Sequence, residues 1–282
     1  MASNHFFRSR DAVAGVIEAL LLVALVSVVL STIQLVYIPQ TMEQREADHM
    51  NEVENQFSFL KSVVDLQSMV GENVPISSPI TLGSDELPYF VTARAFGQLD
   101  VIDEDRTNSR ITTDSISGIP LTSIRYEAYN AYFIDQIYVL EGGSVIVKQP
   151  DGETVIIEPS IKFENRTTEI RVYYSIPLLK GVEGKNSNSG YKNRFIRTNY
   201  SSETTYTGAT TFIRIYTDYL DAWNYSFNKM LEEEISNGYI VVRKYPLGSP
   251  QYISITPGTK NLYLELTVNN IGAQIGPGYV FS

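Results

Sequence analysis

The chain contains no cysteine. Disulfides, thiolate nucleophiles and every cysteine-ligated zinc or iron–sulfur centre are excluded by that alone. Histidine is nearly absent: only His5 and His49 occur in 282 residues, which removes the commonest proton shuttle and metal ligand. Both lie near the N-terminus, so no Ser-His-Asp arrangement can be assembled from the rest of the chain. Positive charge is also short. The 22 Lys and Arg stand against 32 Asp and Glu, a formal net charge of -10, so nucleic acid is not an expected partner. Charged residues make up only 19%, while 19 Tyr and 12 Phe are present, a balance foreign to disordered chains. No nucleophile elbow, phosphate loop or dinucleotide fingerprint follows a predicted strand, and no fixed repeat is visible. No pair of carboxylates stands out for glycoside chemistry. The run Asp100, Asp103, Glu104, Asp105 has oxygen ligands for a hard cation but lacks the alternating spacing and central glycine of a calcium loop, and reads as a solvated acidic loop. The expectation is a non-enzymatic protein with no catalytic residue, cofactor or metal.

What the chain does have is one long apolar run. From Ala12 to Ile38 the only charged residue is Glu18, and a helix of that length would extend about 40 Å, more than the ~30 Å hydrocarbon core. A removable signal, a membrane anchor and a buried helix of a soluble core all compete for such a segment. The stretch Val36-Tyr37-Ile38-Pro39-Gln40 offers no small-residue cleavage site, which favours the anchor. Arg8 and Arg10 precede the run, whereas Glu43, Glu46, Asp48, Glu52 and Glu54 follow it. That bias puts the N-terminus in the cytoplasm and the rest outside, a single-pass arrangement. Glu18 costs roughly 2.5 to 3.5 kcal/mol at the centre of a bilayer. It either snorkels toward the cytoplasmic headgroups or pairs with an amine or Arg of a neighbouring subunit.

The helix continues as an amphipathic stalk. Met50, Val53, Phe57, Leu60 and Val64 recur at spacings of three and four, with Glu46, Asp48, Glu52, Glu54 and Lys61 read as facing elsewhere and His49 placed on the polar side. Such a stripe is either core against the downstream domain or a seam against another copy of the helix. Pro39 removes the hydrogen bond to the Leu35 carbonyl and is expected to kink the rod rather than end it.

Gly71 to Pro79 is a Pro/Ser-rich breaker, and beyond it the period becomes two. Leu262, Leu264, Leu266 and Val268 alternate with Tyr263, Glu265 and Thr267, the pattern of a half-buried strand, read as antiparallel. Gly142-Gly143 and Pro150-Asp151-Gly152 punctuate hairpins among residues 136–158. Further strands are expected within 123–128, 169–175, 210–217, 238–244 and 252–256. Leu220, Trp223, Phe227 and Leu231 mark one covering helix, with Asp218 as its cap and Asn237-Gly238 as its stop. The segments 102–119 and 181–207 lack periodicity and read as long loops. Sequons occur at Asn165, Asn199 and Asn224; Asn165 and Asn199, in a predicted turn and loop, are the better candidates for N-glycosylation. Tyrosines on alternating strand positions suit contacts with subunits or sugars, and equally suit strands as such.

The run Arg10-Asp11-Ala12-Val13-Ala14-Gly15-Val16-Ile17, followed by Glu18-Ala19-Leu20-Leu21-Leu22-Val23-Ala24-Leu25, resembles the N-terminus of archaeal type IV pilin-like proteins. Further along, Tyr138 to Ile146, Ile157-Glu158-Pro159-Ser160, Tyr216-Thr217-Asp218-Tyr219 and Ala222-Trp223 are similar in order to the ectodomain of archaeal pilin-like proteins of unknown function. The resemblance implies a membrane precursor trimmed by a prepilin peptidase around Arg10, Asp11 and Ala12. It also implies assembly machinery and self-association of the N-terminal helix into a surface filament, with Glu18, Met50, Val53, Phe57, Leu60 and Val64 as helix-packing residues. Such sites usually place Gly or Ala after the basic residue, whereas Asp11 follows Arg10 here, so the cut falls near Asp11 or Ala12 or the chain stays a single-pass anchor. The expected fold is α+β: a long N-terminal transmembrane and stalk helix, then an antiparallel β-sandwich-like ectodomain with one covering helix. The expected segments are 1–11 (cytoplasmic leader), 12–38 (membrane or filament core), 39–70 (stalk) and 71–282 (extracellular domain). The alternative to a filament subunit is a tethered receptor or adhesin for sugars or cell-envelope components.

Overall fold

The computed structural model describes residues 5–84, 95–247 and 250–277, with side chains from residue 14 onward. The chain opens on a nearly unbroken rod: α1 (His5–Thr32), a π-helical turn (Ile33–Tyr37) and α2 (Ile38–Val70). Pro39 lies in the first turn of α2, immediately after the π turn. The ring would collide with the preceding turn of a regular helix; the wider turn, in which the Ile38 N–H bonds the Ile33 carbonyl, makes room without ending the rod. The rod stops at Gly71, whose φ of 67° is open to glycine and whose N–H bonds Gln67 O.

Met50, Val53, Phe57, Leu60 and Val64 are all buried against strands of the domain. The stripe is therefore core, and the segment 39–70 is seated on the domain rather than standing free. Three residues read as outward-facing are buried with it: Glu46, His49 and Lys61. Glu46, His49 and Gln67 continue the same three-and-four spacing above and below the apolar residues; their polarity concealed that they share its face. Lys61 flanks the stripe and pairs with Asp65 one turn on.

Among the described residues three sheets form the domain. The largest runs β1 (Ile76–Ile80), β12 (Arg194–Thr210), β16 (Asn261–Ile275), β10 (Glu169–Gly181), β9 (Ile161–Asn165). A six-stranded sheet runs β11 (Ser187–Gly190), β2 (Phe96–Ile102), β5 (Ser123–Tyr129), β6 (Ile137–Glu141), β7 (Ser144–Gln149), β8 (Gly152–Ile157). A smaller one runs β14 (Ile240–Tyr245), β15 (Tyr252–Pro257), β13 (Ile213–Tyr216), β3 (Arg110–Thr112), β4 (Ile119–Pro120). The long strands β10 and β16 tie two cores together. Their residues Ile170 to Leu178 and Leu262 to Val268 pack with α3 (Leu220–Met230) and the small sheet, while Leu179, Ile271, Ala273 and Ile275 pack under α2.

The domain is not antiparallel throughout. β10 and β16 pair parallel, from Glu169 opposite Asn261 to Gly181 opposite Ala273. After Gly181 the chain runs back through β12 of the same sheet, antiparallel to β16, then builds β13, α3 and the edge of the small sheet before entering β16 from the end at which β10 began, which is what a parallel pair requires. The alternation of Leu262, Leu264, Leu266 and Val268 reported one buried face correctly, but one buried face does not fix strand direction. The expected loops also contain strands: β3 lies within 102–119 and β4 starts at its last residue, while β11 lies within 181–207 and β12 starts inside it and runs on to Thr210. From Ser201 to Thr207, β12 is exposed on both faces, so no apolar alternation marks it; it is held to β16 by the backbone ladder with two polar side-chain contacts, Asn270 Nδ2 donating to Ser202 Oγ at 3.1 Å and the hydroxyls of Thr205 and Thr267 3.4 Å apart. The covering helix is two pieces, α3 and α4 (Glu232–Ser236), broken at Leu231 with φ of -114°. Asp218 does not cap it. Tyr219 holds that position, and Glu153 on β8 accepts the N–H of Asp221 at 2.7 Å instead.

Candidate functional site

The most unusual surface is the first half of the rod. Between residues 14 and 37 only Ile33 is even half-buried, although the side chains are Val, Leu, Ala and Ile on every face. Leu21 is 66% exposed and Leu35 77%. A helix apolar all round belongs among lipid chains or other helices, and this one is long and apolar enough to cross a membrane. Its polar groups fit a dry setting: the Ser27 hydroxyl donates to Val23 O at 2.7 Å and Thr32 to Val28 O at 2.9 Å, so neither is left without an acceptor. Glu18 is exposed on this surface and has no partner among the described residues. Arg10, Asp11 and Ala12 fall within α1, but their side chains lie outside the described residues.

The second half is tied to the domain at three levels. The fully buried Glu46 carboxylate accepts the backbone N–H groups of Ala131, Tyr132 and Phe133 at 3.0, 2.7 and 2.7 Å. Gln56 Oε1 accepts the Thr81 N–H at 2.7 Å, and its Nε2 donates to the Thr81 hydroxyl at 2.9 Å. Gln67 Nε2 donates to both Val74 O and Thr198 O, at 2.8 and 2.9 Å. Near the first level, buried His49 places Nε2 3.1 Å from Tyr126 Oη, whose own proton goes to Leu82 O at 2.8 Å. Apolar packing of Phe57 on Tyr138, with ring centroids 5.9 Å apart, fills the space between. The exposed helix thus projects from a fixed base.

A second feature escaped the sequence reading. Glu141, at the end of β6, is buried in the distal core. Burial pushes its carboxyl up to about 7, against the hydroxyl of Thr217, the indole of Trp223 and the hydroxyl of Ser109, which lower it. Thr217 and Trp223 Nε1 donate to Oε1 at 2.6 and 3.1 Å. Ser109 and Thr217 also line a cleft of about 390 Å³ with Asn108, Arg110, Asp218, Pro250 and Gln251. The guanidinium of Arg110 lies 4.3 Å from the Tyr216 ring centroid. The signal for Glu141 was a lone acid closing the apolar strand Ile137-Tyr138-Val139-Leu140 just before the Gly142-Gly143 turn.

The sequons separate clearly. Asn165 is exposed at the end of β9. Asn199, expected in a loop, is instead buried in β12, where its Nδ2 donates to Asn73 Oδ1 at 2.6 Å. Asn224 sits half-buried on α3, and Ser226 of its sequon is buried. Among the described residues no three His, Cys, Asp or Glu side chains gather as a metal site. In the acidic run, Asp100 lies within β2, 4.0 Å from the Arg106 guanidinium. Comparison with models of protein families, with curated proteins and with solved structures finds no match.

Proposed function

We propose that this chain is a non-enzymatic, membrane-anchored surface protein of the archaeal type IV pilin-like kind. In this reading its bare N-terminal helix lies in the bilayer of the precursor and later packs against copies of itself in an extracellular filament. The observation that carries the reading is the contrast along one rod: residues 14–37 are apolar and exposed, while 42–67 are locked to the domain. A helix serving only to complete the domain's core would end where the domain ends. Burying such a surface is worth about 25 cal/mol per Å² of apolar area, and lipid and neighbouring helices satisfy it equally, so one element serves both states. The stripe from Met50 to Val64 has no part in helix self-packing here, because the domain already occupies it. Self-association falls instead to residues 14–37, with Glu18 as the polar group to be paired.

Processing by a prepilin peptidase belongs to this proposal and involves Arg10, Asp11 and Ala12. Mass spectrometry of the N-terminus of protein recovered from cell-surface material tests it: a start near Asp11 or Ala12, with antibody-labelled filaments in electron micrographs, is the expected result. An intact residue 1 with diffuse membrane labelling rejects filament assembly and leaves the single-pass anchor. The cleft beside Arg110 and Tyr216, lined by hydrogen-bonding side chains, favours as a second reading a tethered receptor for sugars.

A further inference from the structure

The outward face of the small sheet is positively charged, on a chain whose net charge is -10. Ile111, Ile213, Ile215, Ile253 and Ile255 turn into the core, so the residues that alternate with them point away from it. Register sets Arg110 of β3, Tyr216 of β13, Tyr252 of β15 and Tyr245 of β14 in one row across four strands. The neighbouring row sets Arg214 and Arg243 on either side of Ser254. None of these four strands contains an acidic residue, and Arg110, Arg214 and Arg243 form no salt bridge with a described residue. Asp114 is near enough to attract Arg214, but its carboxylate already accepts the hydroxyls of Thr210 and Thr211 at 3.0 and 2.8 Å.

The first row is a stack. Arg110 lies over the Tyr216 ring, the Tyr216 and Tyr252 centroids are 5.1 Å apart, and those of Tyr252 and Tyr245 are 4.7 Å apart with 18° between their planes. Arg214 places its Cζ 4.2 Å from the Phe212 centroid and 5.4 Å from that of Tyr252. Such stacking holds a guanidinium by its faces and leaves its N–H edge for carboxylate or sulfate oxygens. We propose that this face binds an acidic polysaccharide, a chain of sugars bearing carboxylate or sulfate groups, with one sugar in the adjoining cleft and the charges of its neighbours on Arg214 and Arg243. Arg110 belongs to both the cleft and the row, so the two surfaces are continuous. In the cleft, Asn108 and Gln251 supply amides and Asp218 a carboxylate, which accepts a sugar hydroxyl and repels a bare anion. The ligand that fits therefore carries hydroxyls as well as spaced negative charges. Nucleic acid fits less well. Tyr216 and Tyr252 are flanked on both sides, so only the outer face of Tyr245 is open to a base, and a phosphate at every nucleotide meets the overall negative charge. This inference rests on the second reading above, a receptor for sugars, and names the class of sugar; it does not depend on filament assembly.

The test is isothermal titration calorimetry of the detergent-solubilised full chain with polygalacturonate and dextran sulfate, against their uncharged counterparts of matched length, methyl-esterified polygalacturonate and dextran. The expected result is binding of at least one charged polymer about tenfold tighter than its uncharged counterpart, and a loss of about tenfold in R243Q. Arg243 is exposed and has no side-chain partner among the described residues, so this variant keeps the fold; R214Q/R243Q is expected to lose more. R166Q removes the same charge from the turn after β9, on another sheet, and is expected to bind as wild type does. Uncharged polymers binding as tightly as charged ones would overturn the proposal and leave a receptor for neutral sugars. Binding of none of the four would reject both. A loss in R166Q equal to that in R243Q, or a single-stranded oligothymidylate bound more tightly than either charged polymer, would also overturn it.

Discussion

Glu46 and Phe133, 87 residues apart in sequence, are joined by a hydrogen bond of 2.7 Å from a backbone N–H to a buried carboxylate. Two further N–H groups of the same turn, from Ala131 and Tyr132, point at that carboxylate. The turn forms a small cradle of backbone donors, and a carboxylate answers all three at once. This is the first tie holding the domain to the rod above its exposed segment. Glu46→Gln keeps the shape but turns one acceptor into a donor aimed at donors. Chemical denaturation is expected to show a loss of about 3 kcal/mol, with hydrogen exchange accelerated at residues 130–135 ahead of the rest of the domain. A loss under 0.5 kcal/mol would mean that the cradle contributes nothing.

Glu141 gives the domain a pH dependence of unusual sign. Its carboxyl titrates near 7 when folded, above the ordinary 4.5, because burial penalises the anion. The folded state therefore binds the extra proton. The stability this contributes is complete below about pH 4.5 and lost as pH rises through about 7, a swing of roughly 3 kcal/mol. Glu141→Gln, neutral throughout, retains an acceptor for Thr217 and Trp223. Its stability relative to wild type is expected to climb by that amount between pH 4.5 and 7.5, measured by thermal unfolding across the range. A difference constant with pH would contradict the assignment.

How much of this was legible beforehand differs by element. The apolar run, the stripe from Met50 to Val64, the Gly142-Gly143 hairpin and the helix carrying Trp223 all announce themselves, because each buries a regular pattern of side chains. The turn's glycines have φ of 57° and 82°, as a two-residue hairpin demands. Glu46 and His49 lay on the buried stripe but were polar, so a reading that equates polarity with exposure put them outside. β12 was invisible for the converse reason: its middle is held by backbone pairing and two polar contacts and has no buried face to impose a pattern. The direction of β10 against β16 depends on the route of the intervening chain, which no local periodicity records.

The three sequons are not equivalent. The Asn165 side chain reaches solvent, whereas Asn199 is bonded to Asn73 in the packed part of β12. If the protein meets an N-glycosylation pathway after folding, peptide mass spectrometry is expected to find glycan at Asn165 and none at Asn199. Full occupancy at Asn199 would require that part of β12 to open.

Glu18 lies on the exposed apolar surface without a partner among the described residues. Glu18→Gln removes a charge whose desolvation opposes insertion, so membrane insertion is expected to be unimpaired. If the carboxylate is paired between copies in the filament, the variant assembles several-fold less filament, counted by electron microscopy against total membrane protein. Filament yield equal to wild type would retire that pairing.

The central claim is that residues 14–37 lie within a bilayer before any assembly. The absence of cysteine makes this directly measurable with single replacements and a membrane-impermeant maleimide applied to intact cells. Leu21→Cys, Val26→Cys and Leu30→Cys are expected to stay unlabelled until detergent is added, while Glu43→Cys and Asp48→Cys, exposed on the rod beyond Pro39, react at once. Rapid labelling at positions 21, 26 and 30 without detergent would contradict the account.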